Sequence, residues 1–329
     1  MTNSTKTAAP QILVVIVNFG TASLVIDCLT SLCTEHQALP GLYVVVTDNA
    51  SKDDSVERLK NAVSDQGWQD WVDVMPLSSN GGFSYGNNAA IKRALASDDQ
   101  PDLILLLNPD TIVRPDAIVH LVDYMDAHPE AAIIGSRLED PDGTPQRSAF
   151  RCITPGSELL STARLGLIRL LMPKWEVAMP ARDKPHPADW LAGASMLIRR
   201  AVFEKIGYLD EDYFLYFEEV DFCLRARRAG FSCWYVPASR IVHLVGAATG
   251  ISDTRAKAKR RPSYWFRSRH HYFRKNWGRI GAIIADLNWI IGMLIWRLRN
   301  IVRRKPDPDP PRFLRDFLYH SVRLRGIEQ

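Results

Sequence analysis

Four short apolar runs, rich in β-branched residues, lie in the first third of the chain. They cover residues 12–17, 42–47, 72–77 and 103–107. Continuous apolar runs of this length are typical of strands that are buried on both faces of a parallel sheet. The pattern therefore predicts four central strands of an α/β domain.

Segments with helical periodicity separate these four runs. Residues 22–32, residues 55–63 and a stretch near residues 87–96 place apolar side chains three and four positions apart, as an amphipathic helix requires. Strands that alternate with helices predict a doubly wound, mostly parallel α/β sheet flanked by helices. Ligands of such sheets bind at the carboxyl ends of the strands, so the residues after each strand are the first candidates for a site.

Three polar motifs follow the second, third and fourth predicted strands. They are residues 48–53, the Gly- and Asn-rich residues 80–88, and the triplet Asn108-Pro109-Asp110. Each motif alone could be an ordinary turn or a helix cap. Their shared position at one rim of the sheet favours a ligand site instead.

The second half of the chain has a less regular pattern. Residues 131–151 predict a strand, a turn and a return, and residues 152–188 predict an irregular Pro-rich insertion or acceptor loop. Residues 189–200 predict a strand with small residues at its start, where a backbone can approach a ligand closely. A helix and then a strand near residues 233–236 follow.

One segment places three carboxylates within four residues, at Glu218, Glu219 and Asp221, beside several aromatic side chains. Crowded carboxylates repel one another, and apolar surroundings raise the cost of ionising them. A general base with a raised pKa would use this arrangement. The alternative is the first turn of an ordinary helix, where acidic residues are favoured by the helix dipole.

Size and composition predict one large domain with an appendage, since the chain has 329 residues of which 46% are hydrophobic. The five cysteines are an odd number without the spacing of a metal site, which favours a reducing cytoplasm. The first eleven residues are polar and resemble no signal peptide. We expect residues 1–10 to be disordered, residues 11–250 to form the main domain, and residues 251–329 to form a basic helical region.

The charge is divided unevenly along the chain. Residues 255–329 carry 19 basic and 5 acidic side chains, whereas the preceding 254 residues carry 22 basic and 32 acidic ones. An acidic body with a basic tail predicts an anionic partner for the tail. Nucleic acid and the anionic inner leaflet of a membrane are the candidates. No nucleic-acid-binding module accompanies the basic residues, so we expect the membrane surface and no nucleic acid.

The basic tail contains an apolar stretch, residues 281–296, which includes Asp286 and Asn288. It is too short and too polar for a confident membrane span. The pattern predicts a helix in the membrane interface, with Trp289 and Trp296 at the level of the headgroups and arginines beyond them. The alternative is a helix that packs on the main domain.

Taken in order and spacing, the motifs resemble those of family 2 glycosyltransferases over roughly residues 11–246. The resemblance implies the GT-A fold, a nucleotide-sugar donor, a divalent metal and inversion at the transferred carbon. Within the family, the chain is most similar to bacterial rhamnosyltransferase-type members that build cell-wall or surface polysaccharide. The resemblance is carried by residues 15–19, 48–51, 80–83, 108–110, 193, 196–200, 218–221 and 243.

The resemblance also implies a metal site. Asn108-Pro109-Asp110 stands where the family keeps its Asp-x-Asp metal motif, with Asn in place of the first acid, and His243 aligns with a histidine that completes the metal shell. Asp110 and His243 are thereby implied as ligands of Mg²⁺ or Mn²⁺, ions that accept carboxylate and phosphate oxygens. An ordinary histidine at a strand end is the alternative for His243.

The resemblance further implies the base and the donor site. Glu218 and Glu219 stand at the family's acidic pair, whose second member is the base, so Glu219 is implied, with Glu218 and Asp221 left open. Asp48 matches the acid that binds the nucleobase. The residues implied to bind the donor come from every motif on the rim: Asn18, Asp48, Asn80, Gly81, Gly82, Asn88, Asn108, Asp110 and Gly193.

The expected reaction moves a sugar, with rhamnose as a candidate, to a hydroxyl of a glycan or lipid-linked acceptor at the inner face of the plasma membrane. A sugar-phosphate nucleotidyltransferase is an alternative, but it needs a lysine-containing phosphate loop where this chain has Asn18-Phe19-Gly20-Thr21. A non-catalytic glycan- or nucleotide-binding module is another. Metal-dependent turnover of a nucleotide sugar distinguishes an enzyme from such a module.

Overall fold

A computed structural model describes residues 10–165, 176–244, 259–304 and 309–326. The disorder predicted for residues 1–10 therefore lies almost wholly outside the described residues, as does the middle of the segment 152–188. The proposed division into a main domain and a basic helical region has its boundary, near residue 250, outside them as well.

Eleven strands are found in the described part of the chain. They are β1 (Ile12–Asn18), β2 (Leu42–Asp48), β3 (Val72–Pro76), β4 (Leu103–Leu107), β5 (Thr111–Val113), β6 (Ala131–Glu139), β7 (Ala149–Phe150), β8 (His186–Ala188), β9 (Trp190–Leu191), β10 (Ser195–Arg199) and β11 (Ser232–His243). The same residues form the helices α1 (Ala22–Ala38), α2 (Ser55–Asp65), α3 (Gly82–Leu95), α4 (Ala117–Ala127), α5 (Pro155–Ala163), α6 (Arg200–Ile206), α7 (Glu218–Arg228), α8 (Ser263–Val302) and α9 (Phe313–Gly326).

The main sheet has the strand order β3-β2-β1-β4-β10-β6-β11-β5, with β8 added on β11. The four predicted strands β1 to β4 are parallel neighbours, as expected. The strand β10 runs antiparallel between β4 and β6, and β11 is parallel to β6. The predicted mostly parallel α/β sheet is thus confirmed. The strands β7 and β9 form a separate two-stranded sheet.

Helices cover both faces of the sheet, which explains why the central strands read as continuous apolar runs. On one face, α1, α2 and α4 pack through residues such as Leu29, Leu59 and Leu121. On the other, α3, α6 and α7 pack through residues such as Ile91 and Phe222. The two hydrophobic layers leave the carboxyl ends of β1, β2 and β4 free to carry polar side chains.

The helix α3 begins earlier than the sequence pattern predicted. It starts at Gly82 rather than near Asn87, because the Gly-rich loop itself winds into the first turn. Gly82 has φ +88°, and a Cβ there would lie 1.9 Å from the carbonyl oxygen of Phe214. Only glycine meets both demands, a left-handed backbone and a close approach.

The helix α8 changes direction at Gly278, which has φ +70°, and its C-terminal part packs along α5. A Cβ at Gly292 would lie 2.0 Å from Thr162 Oγ1, so the two helices touch there. The predicted headgroup position of Trp289 is wrong. Its ring is buried and stacks on Phe317 of α9 at 3.7 Å, because this side of α8 faces α9 rather than solvent.

Candidate active site

The three rim motifs meet in one cleft, because the strands that precede them are neighbours in register. Asn18 pairs with Asp48 across β1 and β2, and Ile16 pairs with Leu107 across β1 and β4. A cavity of about 360 Å³ lies at this rim. Its lining comprises Val17, Phe19, Thr21, Asn49, Asn80, Gly82, Phe83, Asn108, Pro109, Phe214, Leu215 and Tyr264.

Asn18 and Asp48 form a buried floor beneath this cavity. Asn18 Nδ2 donates to Asp48 Oδ2 at 2.6 Å, and Asp48 also accepts from the backbone N–H and the hydroxyl of Ser51, at 2.9 and 2.7 Å. Both carboxylate oxygens therefore hold the loop that follows β2. The contact between Asp48 and a nucleobase stays a prediction. For that contact, the Asp48 carboxylate must accept a hydrogen bond from the base in addition to, or in place of, those from Ser51.

Asn49 is the member of this loop that faces the cavity. Its Nδ2 donates to the carbonyl of Gly82 at 2.9 Å, which joins the loop after β2 to the start of α3. Its Oδ1 is buried and accepts no hydrogen bond from any described residue. A buried oxygen without a hydrogen bond destabilises the fold. Asn49 Oδ1 is therefore a candidate to accept a hydrogen bond from a ligand.

The Gly-rich loop, residues 80–83, docks on the segment before the acidic pair. Asn80 Oδ1 accepts from Gly82 N at 3.0 Å, and Phe83 N donates to Phe214 O at 2.9 Å. Gly81 lies under the ring of Tyr85, because a Cβ there would approach that ring to 2.4 Å. The loop thus connects the donor side of the cleft to the helix that carries Glu219.

Asn88, predicted to bind the donor, lies elsewhere. Its Nδ2 donates to Leu209 O and to Glu211 Oε1, both at 2.8 Å, and its Oδ1 accepts from Leu209 N at 3.1 Å. The whole amide is used within the protein. The prediction for Asn88 is therefore wrong: this side chain ties α3 to the segment that leads to the acidic pair.

Strand pairing brings together Asn108, Asp110 and His243, and we name this group the metal corner after the ligand role predicted for Asp110 and His243. Thr111 of β5 is the register partner of His243 in β11, and Leu244 N donates to Asp110 O at 2.9 Å. As a result, His243 Nε2 lies 3.5 Å from Asp110 Oδ1 and 3.5 Å from Asn108 Nδ2. Residues that are 133 positions apart thus converge on one point.

The donor set of this corner fits a divalent cation. A carboxylate oxygen and an imidazole nitrogen 3.5 Å apart can be bridged by one ion with ligands at about 2.1 Å. Asp110 is buried and His243 is partly exposed toward the rim. An ion held here would keep open positions for water or phosphate oxygens, as Mg²⁺ and Mn²⁺ sites typically do.

Glu218 and Glu219 lie in the first turn of α7, and we name this pair the base corner after the role predicted for Glu219. Tyr216 and Phe217, directly before it, both have φ +72°. Two consecutive non-glycine residues in the left-handed region cost of order 1–3 kcal/mol each, and such strain clusters at functional sites. Here it turns the chain sharply so that the helix begins with its acids at the rim.

Both glutamates of the base corner resist ionisation. Burial raises the pKa of each, and the charge of Glu219 raises the pKa of Glu218 further, while hydrogen bonds from backbone N–H groups oppose the shift. One carboxylate oxygen of each residue is buried without a hydrogen-bond partner among the described residues. A carboxylate in this state is a stronger base than an exposed one.

Gly193 joins the two corners. A Cβ on Gly193 would lie 3.6 Å from the Cβ of Glu219 and 3.7 Å from the ring of Phe83, so the glycine sits directly against the base corner. The next residue, Ala194, accepts from Asn108 N at 3.0 Å. Two residues of backbone, Gly193 and Ala194, thus separate Asn108 from Glu219, and both Asn108 and Phe83 line the cavity.

Asp221 does not share the role of base that was left open for it. It is fully buried and accepts from Arg225 Nε, Lys275 Nζ and Asn276 Nδ2 at 2.8–2.9 Å. Burial raises its pKa, but the hydrogen bonds from Asn276 and Lys275 outweigh this and hold the pKa below its ordinary value. Asp221 therefore fastens α7 to α8.

A second possible ligand group lies behind Asp221, formed by Asp210, Asp212 and His271. Lys275 Nζ bridges Asp210 and Asp221 at 2.7 and 2.8 Å, and His271 Nε2 lies 3.0 Å from Asp210. The hydrogen bond from His271 and the ammonium of Lys275 lower the pKa of Asp210 despite its burial. The Lys275 ammonium already balances the negative charge of this group, so we interpret the group as structural.

Nine of the twelve residues that line the cavity were absent from the sequence-based assignment, among them Phe19, Asn49, Phe214 and Tyr264. Phe19 and Asn49 lie inside recognised motifs and could have been selected as polar or aromatic residues at strand ends. Phe214 could be suspected only from its closeness to the acidic pair. Nothing in the sequence near Tyr264, at the start of α8, connects it to the rim.

Comparisons with known proteins agree with this geometry. The family model described as "Glycosyltransferase like family 2" matches residues 10–274. The N-acetylglucosaminyl-diphospho-decaprenol L-rhamnosyltransferase of Mycobacterium tuberculosis is 29% identical over 293 residues, which cover 83% of this chain and 86% of that protein. The rhamnosyltransferase WbbL of Escherichia coli K12 is 30% identical over 166 residues, which cover 49% of this chain and 60% of that protein.

Among solved structures, the mannosyltransferase PcManGT from Pyrobaculum calidifontis, in complex with GDP-Man and Mn²⁺, is similar with a TM-score of 0.56 and 14% identity. The match covers 91% of this chain and 76% of that one. GalNAc-T7 with UDP, GalNAc and Mn²⁺ is similar with a TM-score of 0.50 and 16% identity, over 72% and 44% of the two chains. The chain therefore belongs to glycosyltransferase family 2, is a glycosyltransferase, and has the GT-A fold.

Proposed function

We propose that this protein is a divalent-metal-dependent, inverting transferase that moves a sugar from a nucleoside diphosphate to a hydroxyl of a glycan or lipid-linked acceptor. The observation that carries the proposal is the position of Gly193, which touches Glu219 while its neighbour Ala194 is hydrogen-bonded to Asn108. A cation site at Asn108 and a base at Glu219, joined by this backbone, would both be within reach of one bound substrate. Each corner meets one of the two chemical demands of sugar transfer.

The reaction requires a proton to leave the acceptor hydroxyl as its oxygen attacks the anomeric carbon. Glu219 would take that proton, and its raised pKa keeps it basic enough to do so near neutral pH. The new carbon–oxygen bond forms while the bond to the diphosphate oxygen breaks, and the electron pair of that bond leaves with the diphosphate. A single displacement of this kind inverts the anomeric centre.

Asp110 and His243 would hold the metal, with Asn108 beside them. A cation bound there supplies charge neutralisation for the departing diphosphate. The mixed carboxylate and imidazole donor set accepts either Mg²⁺ or Mn²⁺. Mn²⁺ accompanies the nucleotide sugar in the similar mannosyltransferase structure, which supports the proposal of a divalent cation.

The relatives support rhamnose as the sugar. The matching proteins of M. tuberculosis, E. coli and Shigella flexneri are all named as rhamnosyltransferases, the last as a dTDP-rhamnosyl transferase. The M. tuberculosis relative is named for a diphospho-decaprenol acceptor. We therefore propose a deoxyhexose donated from a nucleoside diphosphate to a polyprenyl-diphosphate-linked sugar, in cell-wall or surface polysaccharide synthesis.

A lipid-linked acceptor implies a site of action. We propose that the enzyme works in the cytoplasm, as a peripheral protein on the inner face of the plasma membrane, because nucleotide sugars are cytoplasmic substrates and the acceptor is anchored in the bilayer. The basic balance of residues 255–329 supports this location, because an anionic membrane surface attracts basic segments.

Membership of a glycosyltransferase family removes the basis for the sugar-phosphate nucleotidyltransferase alternative. A non-catalytic binding module is disfavoured by the base corner, since a buried acidic pair with raised pKa values destabilises a fold that has no use for it.

The test is transfer or slow hydrolysis from a panel of nucleotide sugars, with and without Mn²⁺ or Mg²⁺. We expect turnover of a dTDP-deoxyhexose that EDTA abolishes and excess Mn²⁺ restores. Binding of nucleotide without turnover of any sugar in the panel, with a suitable polyprenyl-linked acceptor present, would contradict an enzymatic role. Activity that survives EDTA would contradict the metal corner alone.

A further inference from the structure

The C-terminal part of α8 exposes apolar side chains and buries polar ones, the opposite of a surface helix in a soluble protein. Within residues 279–304, ten large apolar side chains are exposed, by 38–75%. They recur every three or four positions and form one face, which we name the apolar stripe: Ile280, Ile283, Ile284, Leu287, Ile291, Leu294, Ile295, Leu298, Ile301 and Val302. A surface helix in water would place such residues toward the core.

The polar residues of the same helix point inward. Asp286 is buried and binds Arg269, which also binds Glu158 of α5, each at 2.6 Å. Asn288 Nδ2 donates to Pro155 O at 2.9 Å. These are the residues that made the stretch look too polar for a membrane. Since they are satisfied inside the protein, the outward face is left almost purely apolar.

The charge around the apolar stripe is positive. Arg279 precedes it and Arg303 and Arg304 end it, all three exposed. The only acidic residue in residues 279–304 is Asp286, which is buried against Arg269. An apolar face rimmed by arginines matches a bilayer surface that is apolar inside and anionic at the headgroups.

The geometry favours a helix that lies in the membrane plane. By length and hydropathy, α8 passes as a membrane-spanning candidate, yet a third of the qualifying window is buried. Its inner side packs on α5 and α9 through Gly292 and Trp289. A helix fixed in this way exposes one face only. That face is about 33 Å long at 1.5 Å per residue, and the whole of it can touch the same surface.

We infer that the apolar stripe docks the enzyme on an anionic phospholipid bilayer, with α8 parallel to the surface. The inference rests on the proposed function in one respect only, which is the purpose of docking: to bring the cleft to a lipid-linked acceptor. Tyr264 lines the cleft at the start of the same helix, sixteen residues before Ile280. The cleft therefore lies within about 25 Å of the stripe along α8.

The experiment is co-flotation of the full chain with vesicles of phosphatidylcholine alone or with phosphatidylglycerol added. We expect the protein to float with the anionic vesicles and to be released by alkaline carbonate. The triple variant Leu287→Gln, Ile291→Gln, Leu294→Gln should lose binding by roughly 100-fold, because three apolar side chains leave the bilayer. The single variant Leu294→Gln has a matched control in Leu318→Gln, which changes an exposed leucine on α9. This control should bind anionic vesicles as the wild type does.

The arginines give a second, independent readout. Arg279→Gln, Arg303→Gln, Arg304→Gln should weaken binding to anionic vesicles by roughly tenfold or more and leave binding to neutral vesicles unchanged. The matched control, Lys60→Gln, Arg93→Gln, Lys205→Gln, removes three exposed charges from α2, α3 and α6. Equal losses in both sets would contradict a role for the rim of the stripe.

Three results would overturn the docking inference. The wild type could fail to float with either vesicle, it could resist carbonate as a spanning protein does, or it could be a dimer in solution that the apolar triple variant converts to a monomer. The last result would assign the stripe to a second copy of the chain. Donor hydrolysis in the same samples keeps the two proposals apart, since turnover without flotation contradicts docking only, and flotation without turnover contradicts the proposed function only.

Discussion

The metal corner and the base corner of the cleft are built in different ways. The metal corner stands at the ends of β4, β5 and β11, and the ladder between Thr111 and His243 fixes it. The base corner stands on a turn with two left-handed residues, and it is held by contacts from distant segments, at Gly82 and Lys275. The predicted metal corner is fixed by the pairing of two strands, whereas the predicted base corner depends on a strained turn and on the packing of distant segments.

The three acids of α7 repeat this contrast within one helical turn. Glu219 lies against Gly193 and has a raised pKa, and Asp221 binds Lys275 and Asn276 and has a lowered pKa. Side chains two positions apart are separated by about 200° around the helix axis, so Glu219 and Asp221 point to opposite sides of α7. Two carboxylates in the same turn thus differ in their surroundings: that of Glu219 is the proposed base, and that of Asp221 attaches α7 to α8.

The largest expected effect belongs to Glu219→Gln, which keeps the shape and removes the base. Transfer should fall on the order of 10²–10⁴-fold, the usual contribution of a general base. Steady-state rates at saturating donor measure this. Glu204→Gln, an exposed glutamate on α6, is the control and should keep the wild-type rate. If Glu219→Gln retains full activity, the proton is taken elsewhere.

Asp110→Asn should act on the other corner. Removing the charged ligand should weaken metal-dependent donor binding on the order of 10²-fold, about the value of a lost charge-assisted contact. The measurement is donor affinity as a function of Mn²⁺ concentration. Asp116→Asn, an exposed acid before α4, is the control. An unchanged metal requirement in Asp110→Asn would exclude this residue as a ligand.

Two glycines test how the corners are joined. Gly82→Ala places a Cβ against Phe214 O in a left-handed backbone, so we expect a loss of about 1–3 kcal/mol in the free energy of unfolding. Gly193→Ala meets Glu219 and Phe83 at ordinary contact distances and should leave stability unchanged while altering donor KM. Urea unfolding and initial rates separate the two. Equal destabilisation by both variants would show that Gly193 is only a packing position.

The smallest effect concerns pH. Because burial raises the pKa of Glu219, the acidic limb of kcat/KM should lie above the ordinary glutamate value of about 4.3. Stability should move the other way: the folded state holds protons on this pair that the unfolded state has released, so the pair contributes more stability as pH falls through that range. Glu218→Gln should flatten this part of the stability profile relative to wild type. A wild-type limb near pH 4 would contradict a buried base.

Much of the fold could be predicted because it depends on local periodicity. The run at residues 103–107 became β4, and the alternation of strands with helices fixed the architecture. The antiparallel direction of β10 could not be predicted, since its three apolar residues, Met196, Leu197 and Ile198, fit either direction and the path of the chain decides. The rim motifs were found for the same local reason, as strand ends in a parallel sheet.

The errors in the site arose from rotation about helix axes. Since α3 begins at Gly82, Asn88 falls on the side that faces Leu209 rather than the cleft. A shift of five residues in a predicted helix start is enough to misplace a side chain. Trp289 was misplaced in the same way, because its preference for interfaces does not say which face of α8 it occupies.

The most direct test of the central account is nucleoside-diphosphate binding, with and without Mn²⁺, in the variants Glu219→Gln and Asp110→Asn. The account predicts that Glu219→Gln binds the nucleotide as tightly as the wild type and with the same dependence on Mn²⁺, although it no longer transfers sugar. It predicts that Asp110→Asn loses the Mn²⁺-dependent part of the affinity. Loss of Mn²⁺-dependent binding in Glu219→Gln together with its retention in Asp110→Asn would reverse the two corners and contradict the account.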